Sequence, residues 1–217
     1  DETYGALQHR KVNDPAEREA LAALYDEGIR HVDAALAGWF ERLEREHWFD
    51  DALVIVTSDH GESLAQRGIV GHGGPWQEGL RVPLIVHLPD DARAGERSAA
   101  VAHLIDVVPT ALAFAGLRTD PALPGRSLLA PLEAERMLGG ANPPIDFVVR
   151  WPQKAVRRGE RAGSFDLAAD PGELNAVPMS AQEFEALRAG LALDPSTFHR
   201  PDPIVLTPAD AADLRAL

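Results

Sequence analysis

The sequence predicts an α/β protein that ends in a small antiparallel sheet. Three observations lead to this prediction: one long amphipathic helix near the start, two apolar strand-like runs after it, and several short strand-like runs between turn residues beyond residue 140. Helices that alternate with buried strands are typical of α/β folds. Short strands separated by turn residues are typical of antiparallel sheets.

The composition excludes several classes of protein. The 217 residues contain no cysteine, which excludes a disulfide framework, a cysteine-based zinc site and a cysteine nucleophile within the chain. The 34 acidic and 21 basic residues give a net charge of −13, which argues against a nucleic-acid-binding surface and against adhesion to an anionic membrane. No apolar run reaches the roughly eighteen residues of a membrane span, so none is predicted.

The first element is a helix predicted over residues 15–47. Asp14 is the N-cap, Pro15 occupies the first helical position, and Glu17 has the spacing of a capping-box partner. Apolar residues then recur at steps of three and four, which predicts one buried stripe. The stripe consists of Leu21, Tyr25, Ile29, Val32, Leu36 and Leu43, with Trp39 or Phe40 between the last two.

Two apolar runs, residues 53–57 and 82–88, are the next elements, and a glycine-rich loop joins them. The first run is rich in β-branched residues and lacks polar alternation. That pattern is typical of a strand buried on both faces in a parallel sheet. We therefore expect two buried strands with polar residues at their ends.

The later elements are shorter. Residues 103–116 predict a helix with Gly116 as its C-terminal cap, which Pro109 either interrupts or starts. A short helix is expected over residues 127–138 and a linker over 139–144. The remaining predicted elements are strands at 146–151, 154–158 and 164–167, and a helix at 180–193.

This order of elements suggests three regions. The predicted regions are an α/β part over residues 1–140, a small sheet with its helix over 141–195, and a tail over 196–217.

The segment Asp59-His60-Gly61-Glu62 directly follows the first apolar strand. Open α/β sheets bind their ligands at the carboxyl ends of strands. Asp59 and His60 carry oxygen and nitrogen donors that suit a divalent cation, and Gly61 permits a sharp turn. The alternative is that Asp59 caps a following helix and His60 is an ordinary turn residue.

A second candidate is His72, which glycines flank in the segment 71–74. The glycines allow the backbone to approach a bound anion closely, and a histidine can donate a proton or bind a metal. The alternative is a flexible loop with a surface histidine. The segment FDLAADPGELN, residues 165–175, is interpreted as a strand end and a turn without chemistry of its own.

Six segments match, in order and spacing, the motifs of one known family. They are LYDEGIRHVDAALAGWFERL (24–43), ALVIVTSDHGE (52–62), GHGGPWQEGLRVPLIV (71–86), HLIDVVPTALAFAGL (103–117), GRSLLAPL (125–132) and FDLAADPGELN (165–175). On the basis of these six segments, the chain resembles the C-terminal half of a sulfatase, within the alkaline phosphatase superfamily. The resemblance implies part of an alkaline-phosphatase-like α/β sandwich with a small C-terminal antiparallel sheet.

The resemblance also implies a chemistry and a set of roles. Asp59 and His60 fall on two of the family's metal ligands, and His72 falls where many sulfatases have a lysine that contacts the sulfate. His72 is therefore expected to act on the leaving group, and Glu62 to orient the loop. The implied cofactor is a divalent metal ion, expected to be calcium, with manganese or zinc as alternatives. The implied partner is a small-molecule or saccharide sulfate ester, while the oligomeric state stays open.

The family's nucleophile motif, Cys or Ser followed by x-Pro-Ser-Arg, does not occur in the sequence. We therefore expect a fragment that is inactive alone, with the nucleophile outside it and with one apolar strand partly uncovered. His72 in place of lysine, and Asp-His where many sulfatases have Asp-Asn, leave a phosphate- or phosphonate-ester hydrolase or a phosphoglycerol transferase open. An inactive fragment or interaction module is the alternative of another class.

Overall fold

The computed structural model describes residues 11–121, 123–131, 136–142 and 144–191, so the predicted tail lies outside the described residues. Five α-helices are described: α1 Pro15–Arg45, α2 Trp48–Asp51, α3 Gln77–Leu80, α4 Val107–Phe114 and α5 Ala181–Arg188. The first four strands are β1 Val54–Thr57, β2 Ser63–Leu64, β3 Val70–Gly71 and β4 Leu84–His87. The other strands are β5 Met137–Asn142, β6 Ile145–Arg150, β7 Gln153–Arg158, β8 Arg161–Asp166 and β9 Val177–Met179.

Helix α1 begins where the sequence predicts and ends two residues earlier, at Arg45. The Asp14 carboxylate accepts a hydrogen bond from the Ala16 backbone N–H at 3.2 Å, which satisfies one free donor of the first turn. The predicted buried stripe is confirmed only in part, because Tyr25, Leu36 and Leu43 are half-buried rather than buried. Leu21 is buried, but Ile29, Val32 and Trp39 are each at least half exposed among the described residues.

Although α1 has 31 residues, charged side chains interrupt it at short intervals. Among the described helices, none combines the length and the apolar character that crossing a membrane requires.

Strands β1 and β4 pair with each other in an antiparallel ladder that runs from Val54 opposite His87 to Thr57 opposite Leu84. The expected parallel pairing of fully buried strands is therefore corrected within the described residues. β-branched composition fits a pleated, half-buried surface and says little about the direction of the partner strand. The strands are half-buried, with Ile85 60% exposed, and the Thr57 hydroxyl ties their ends by donating to the Pro83 carbonyl at 2.8 Å.

A second, very short hairpin is formed by β2 and β3, with Ser63 opposite Gly71 and Leu64 opposite Val70. Val70 and Ala65 pack with Val12 and Leu21 in a small core that joins the hairpin to the start of α1. This contact places the hairpin ends beside the carboxyl end of β1, where the candidate site lies.

The predicted helix over residues 103–116 is present as a 3-10 turn, Leu104–Asp106, that continues into α4. Pro109 lies in the first turn of α4, where its missing N–H leaves no bond unmade, so it does not break the helix. Gly116, at φ 68°, ends the helix, and the Leu117 N–H reaches back to the Leu112 carbonyl at 2.9 Å.

The C-terminal sheet has five antiparallel strands in the order β5-β6-β7-β8-β9, so each strand pairs with its neighbour in sequence. Its three central strands are those that the sequence predicts. The helix expected over 127–138 is absent at 127–131 and 136–138, while 132–135 lie outside the described residues. The linker at 139–144 is wrong, because β5 occupies Met137–Asn142. Since β5 crosses the predicted boundary at residue 140, we place the start of this region at Met137.

Strand β5 was not predicted from the sequence because it contains Gly139 and Gly140, and glycine is depleted in strands. A Cβ atom on Gly139 would lie 2.7 Å from the Leu191 side chain, and one on Gly140 would lie 2.5 Å from the Phe147 ring. A side chain at either position would therefore force the Leu191 or Phe147 side chain to shift. Helix α5, capped by reciprocal bonds between Ser180 and Glu183, covers the same sheet through the fully buried Phe184.

Candidate metal centre

The site lies at the carboxyl end of β1, where the chain turns through Ser58–Glu62. The Asp59 Oδ1 atom accepts the backbone N–H of His60 at 3.0 Å, and its Oδ2 atom lies 3.7 Å from His60 Nε2. The Asp59 side chain is 85% exposed. Asp59 does not cap a helix, because the next element is β2.

A contact with the backbone determines which ring nitrogen of His60 has a lone pair that can bind a metal ion. Its Nδ1 atom lies 2.9 Å from the Gly61 carbonyl oxygen, and a carbonyl can only accept, so Nδ1 carries the proton. The lone pair of Nε2 is then available to a metal ion, in the manner of metal-bound histidines that donate their other N–H to the backbone.

The β2–β3 hairpin brings Glu62 and His72 together. Glu62 precedes β2 and His72 follows β3, so they are the next pair beyond Ser63 and Gly71. His72 Nδ1 lies 3.3 Å from Glu62 Oε2, while the ring of His72 stacks on that of His60 with centroids 4.1 Å apart. A carboxylate can only accept, so Nδ1 of His72 carries a proton. In the neutral ring, the lone pair of Nε2 is then available as well.

His60, Glu62 and His72 thus offer two imidazole nitrogens and a carboxylate oxygen that all lie within 4.8 Å of one another. The Glu62 side chain is 10% exposed, and its Oε1 atom is buried without a hydrogen-bond partner among the described residues. A buried, unpartnered carboxylate oxygen is costly unless a cation or donor satisfies it. The donor set and this orphaned atom fit a divalent cation.

Helix α3 packs against the loop Ser58–Glu62. The Gly61 N–H donates to the Gly79 carbonyl at 2.8 Å. A Cβ atom on Gly61 would lie 2.1 Å from the Glu78 carbonyl oxygen, so only glycine permits this approach. The position of His60 and Glu62 therefore depends on where α3 lies.

Next to α3 lies a group of buried and partly buried charged side chains that was not predicted from the sequence. We call it the buried charge network, and it comprises Arg67, Glu78, Lys154 and Glu173 around the ring of Trp76. Lys154 is 1% exposed and Glu173 is 3% exposed, and the two form an ion pair. Burial lowers the pKa of Lys154, while the hydrogen bond and charge of Glu173 act in the opposite direction.

The chain is similar to proteins of one known family. The family model described as Sulfatase matches residues 3–117. The multifunctional alkaline phosphatase superfamily protein PehA of Trinickia caryophylli is 37% identical over 133 residues, which cover 61% of this chain and 26% of that protein. The N-acetylglucosamine-6-O-sulfatase of Bacteroides thetaiotaomicron is 33% identical over 104 residues, which cover 48% of this chain and 19% of that protein.

Solved structures show the same fold. One, a protein in complex with its substrate D-glucosamine-2-N,6-O-disulfate, has a TM-score of 0.63 at 23% identity and covers 75% of this chain and 37% of that one. The phosphonate monoester hydrolase of Agrobacterium radiobacter has a TM-score of 0.61 at 25% identity and covers 75% of this chain and 38% of that one. The chain therefore spans less than half the length of each of these four proteins.

Proposed function

Because the chain belongs to the sulfatase family, within the alkaline phosphatase superfamily, we propose that it carries part of the metal centre of a hydrolase that cleaves a sulfate ester. The observation that supports this proposal is the cluster of His60, Glu62 and His72 at the end of β1, beside Asp59. We assign no nucleophile to this chain, in keeping with the absence of the family's nucleophile motif.

We propose the roles that the family resemblance implies, and the geometry is compatible with them. Asp59 and His60 hold the metal ion through Oδ2 and Nε2, the atoms that their backbone bonds leave open. His72, oriented by Glu62 at 3.3 Å, acts as the general acid in its imidazolium form, which gives its Nε2 proton to the departing ester oxygen and is left as the neutral Nδ1–H ring. A bound divalent cation supplies Lewis-acid stabilisation of the charge that develops on the ester oxygens.

The donor set bears on the identity of the metal. Calcium and manganese are suited by oxygen ligands, whereas imidazole nitrogens suit zinc better. Because His60, one of the two proposed ligands, is an imidazole, the set favours zinc over the calcium expected from the family.

The substitution Asp59→Ala in the intact enzyme tests the assignment. We expect loss of the bound metal and of sulfate-ester turnover, measured by elemental analysis and by an aryl sulfate assay. Asp33→Ala, an exposed residue on α1, is the control and should retain both. Wild-type turnover in the Asp59 variant would contradict the assignment.

Hydrolysis of a phosphate or phosphonate ester, or transfer of a phosphoglycerol group, is the second candidate. It is favoured by the likeness to PehA and to the phosphonate monoester hydrolase, and by histidine rather than lysine at position 72. Parallel assays with aryl sulfate, aryl phosphate and aryl phosphonate esters distinguish the two. A preference for a phosphorus ester under matched conditions would replace the first candidate.

A non-catalytic role, as an inactive fragment or interaction module, predicts no specific metal binding. Calorimetric titration of the chain with Zn²⁺ tests this role, because saturable binding that His60→Gln removes supports the metal centre. The same titration of His31→Gln, an exposed histidine on α1, is the control. Equal heats in the chain and both variants would favour the non-catalytic role.

A further inference from the structure

The buried charge network joins the C-terminal sheet to the loop that carries His72. Lys154 lies on β7, and its ammonium group donates to the Pro75 carbonyl and to Glu173 Oε1. Glu173 lies in the turn after β8, and its Oε2 atom accepts the Gln77 backbone N–H at 2.7 Å. Both ends of the segment from Pro75 to Gln77 are thus fixed by side chains from the C-terminal region.

Arg67 closes the network from the other side. It donates to the Gly172 and Glu173 carbonyls at 2.9 and 3.3 Å, and its Nε atom lies 3.1 Å from Glu78 Oε1. Its guanidinium group lies 3.9 Å from the centre of the Trp76 ring, which meets Phe165 of β8 edge to face at 5.9 Å. Two cations and two carboxylates balance, as charges in a protein interior require, although Arg67 Nε and Glu78 Oε1 form their ion pair without a hydrogen bond.

The segment Pro75–Gln77, which this network holds, is connected to the metal centre at both of its ends. Pro75 is three residues beyond His72, and Gly73 and Gly74 separate them. Gln77 starts α3, whose Gly79 carbonyl accepts the Gly61 N–H between His60 and Glu62. A displacement of Pro75–Gln77 would therefore move both halves of the metal-binding cluster.

We infer that Lys154 and Glu173 are positioning residues for the metal centre, which they bring into register by fixing Pro75–Gln77. This role rests on the proposed function, and it gives the small C-terminal sheet a part in building the site. Neither residue touches the metal-binding atoms. Both act through α3 and the loop that bears His72.

The double variant Lys154→Met/Glu173→Leu separates positioning from stability. Apolar replacement of both members of a buried ion pair often costs little stability, whereas removal of one member leaves an unpaired charge. The double variant should therefore melt closer to the unaltered chain than Lys154→Met does. It still lacks the bonds to Pro75 and Gln77, so positioning should be lost while the fold remains.

Two measurements report whether the metal-binding residues keep their positions. The first is hydrogen exchange at the Gly61 amide, with the Val148 amide in β6 as an internal reference for the sheet. The second is Co²⁺ affinity measured by visible absorption. In the double variant we expect the Gly61 amide to exchange at least about ten times faster, with Val148 unchanged, and Co²⁺ to bind about ten- to a hundred-fold more weakly, as found when groups behind metal ligands are removed.

Arg157→Met is the matched control, because Arg157 also lies on β7 and forms ion pairs, with Asp146 and Glu185, that do not reach the site. It should leave Gly61 exchange and Co²⁺ affinity unchanged. Unchanged Gly61 exchange in the double variant would overturn the inference. Absence of Co²⁺ binding to the unaltered chain would instead contradict the proposed metal centre, and Gly61 exchange would still decide the positioning role.

Discussion

Asp106 illustrates how single residues fix this fold. The side chain is fully buried, and its two oxygens accept from the Arg136 guanidinium at 2.6 and 2.7 Å and from the backbone N–H groups of His103 and Arg126. Burial alone would raise the pKa of Asp106, but these hydrogen bonds outweigh it and hold the pKa below its usual range. The carboxylate thereby joins the start of α4 to residues 126 and 136.

The substitution Asp106→Asn should destabilise the protein by roughly 3 kcal/mol or more at neutral pH, because Arg136 would be left buried without its counter-charge. A carboxylate whose folded pKa is depressed contributes stability above its unfolded pKa and loses it as pH falls through the folded pKa. The difference between the unaltered chain and the variant in urea unfolding should thus be constant from neutral pH to about pH 5 and shrink below about pH 4. A difference independent of pH would contradict this account, and Glu27→Gln, from an exposed pair with Arg30, is the control.

At the scale of elements, local signals were predictable from the sequence and long-range pairings were not. Asp14 and Pro15 predict the start of α1 because a cap acts within a few residues. The motif around Asp59 and His60 indicates the site, but the contact between Glu62 and His72 depends on two-residue strands, which are too short to show a period. The burial of Lys154 and Glu173 was not predictable, because charged residues are rarely buried unless paired. Their pairing is a tertiary contact that the local sequence does not show.

Two glycines in different elements give a matched prediction. Gly61→Ala should destabilise the protein by about 1–3 kcal/mol, since its Cβ would press on the Glu78 carbonyl oxygen. Gly28→Ala on α1 meets nothing within 4 Å and should stabilise the protein by up to about 1 kcal/mol through helix propensity. Urea unfolding measures both. Equal effects of the two substitutions would show that the Gly61 contact is not tight.

Across the whole molecule, the described chain has two parts, each with a small core and with exposed large apolar side chains, Val177 of β9 among them. The first comprises α1 and the short ladders around the metal centre, and exposes large apolar side chains such as Ile29, Val32 and Ile85. The second is the sheet β5–β9 with α5, which has a core of Val148, Ala155 and Phe184. The fold class was predictable from the sequence, whereas the exposed face of α1 was not, because periodicity shows which side chains share a face and not what covers it.

The sequential pairing of the C-terminal sheet has a consequence for the order of folding. Each of its strands pairs with the next one in the chain, so little loop-closure entropy opposes it. The Gln77–Glu173 contact, by contrast, spans 96 residues. We expect the sheet to form first and to serve as the template on which the metal loop is ordered. Pulse-labelling hydrogen exchange during refolding should then protect the Val148 amide before the Gly61 amide, and the reverse order would contradict this sequence of events.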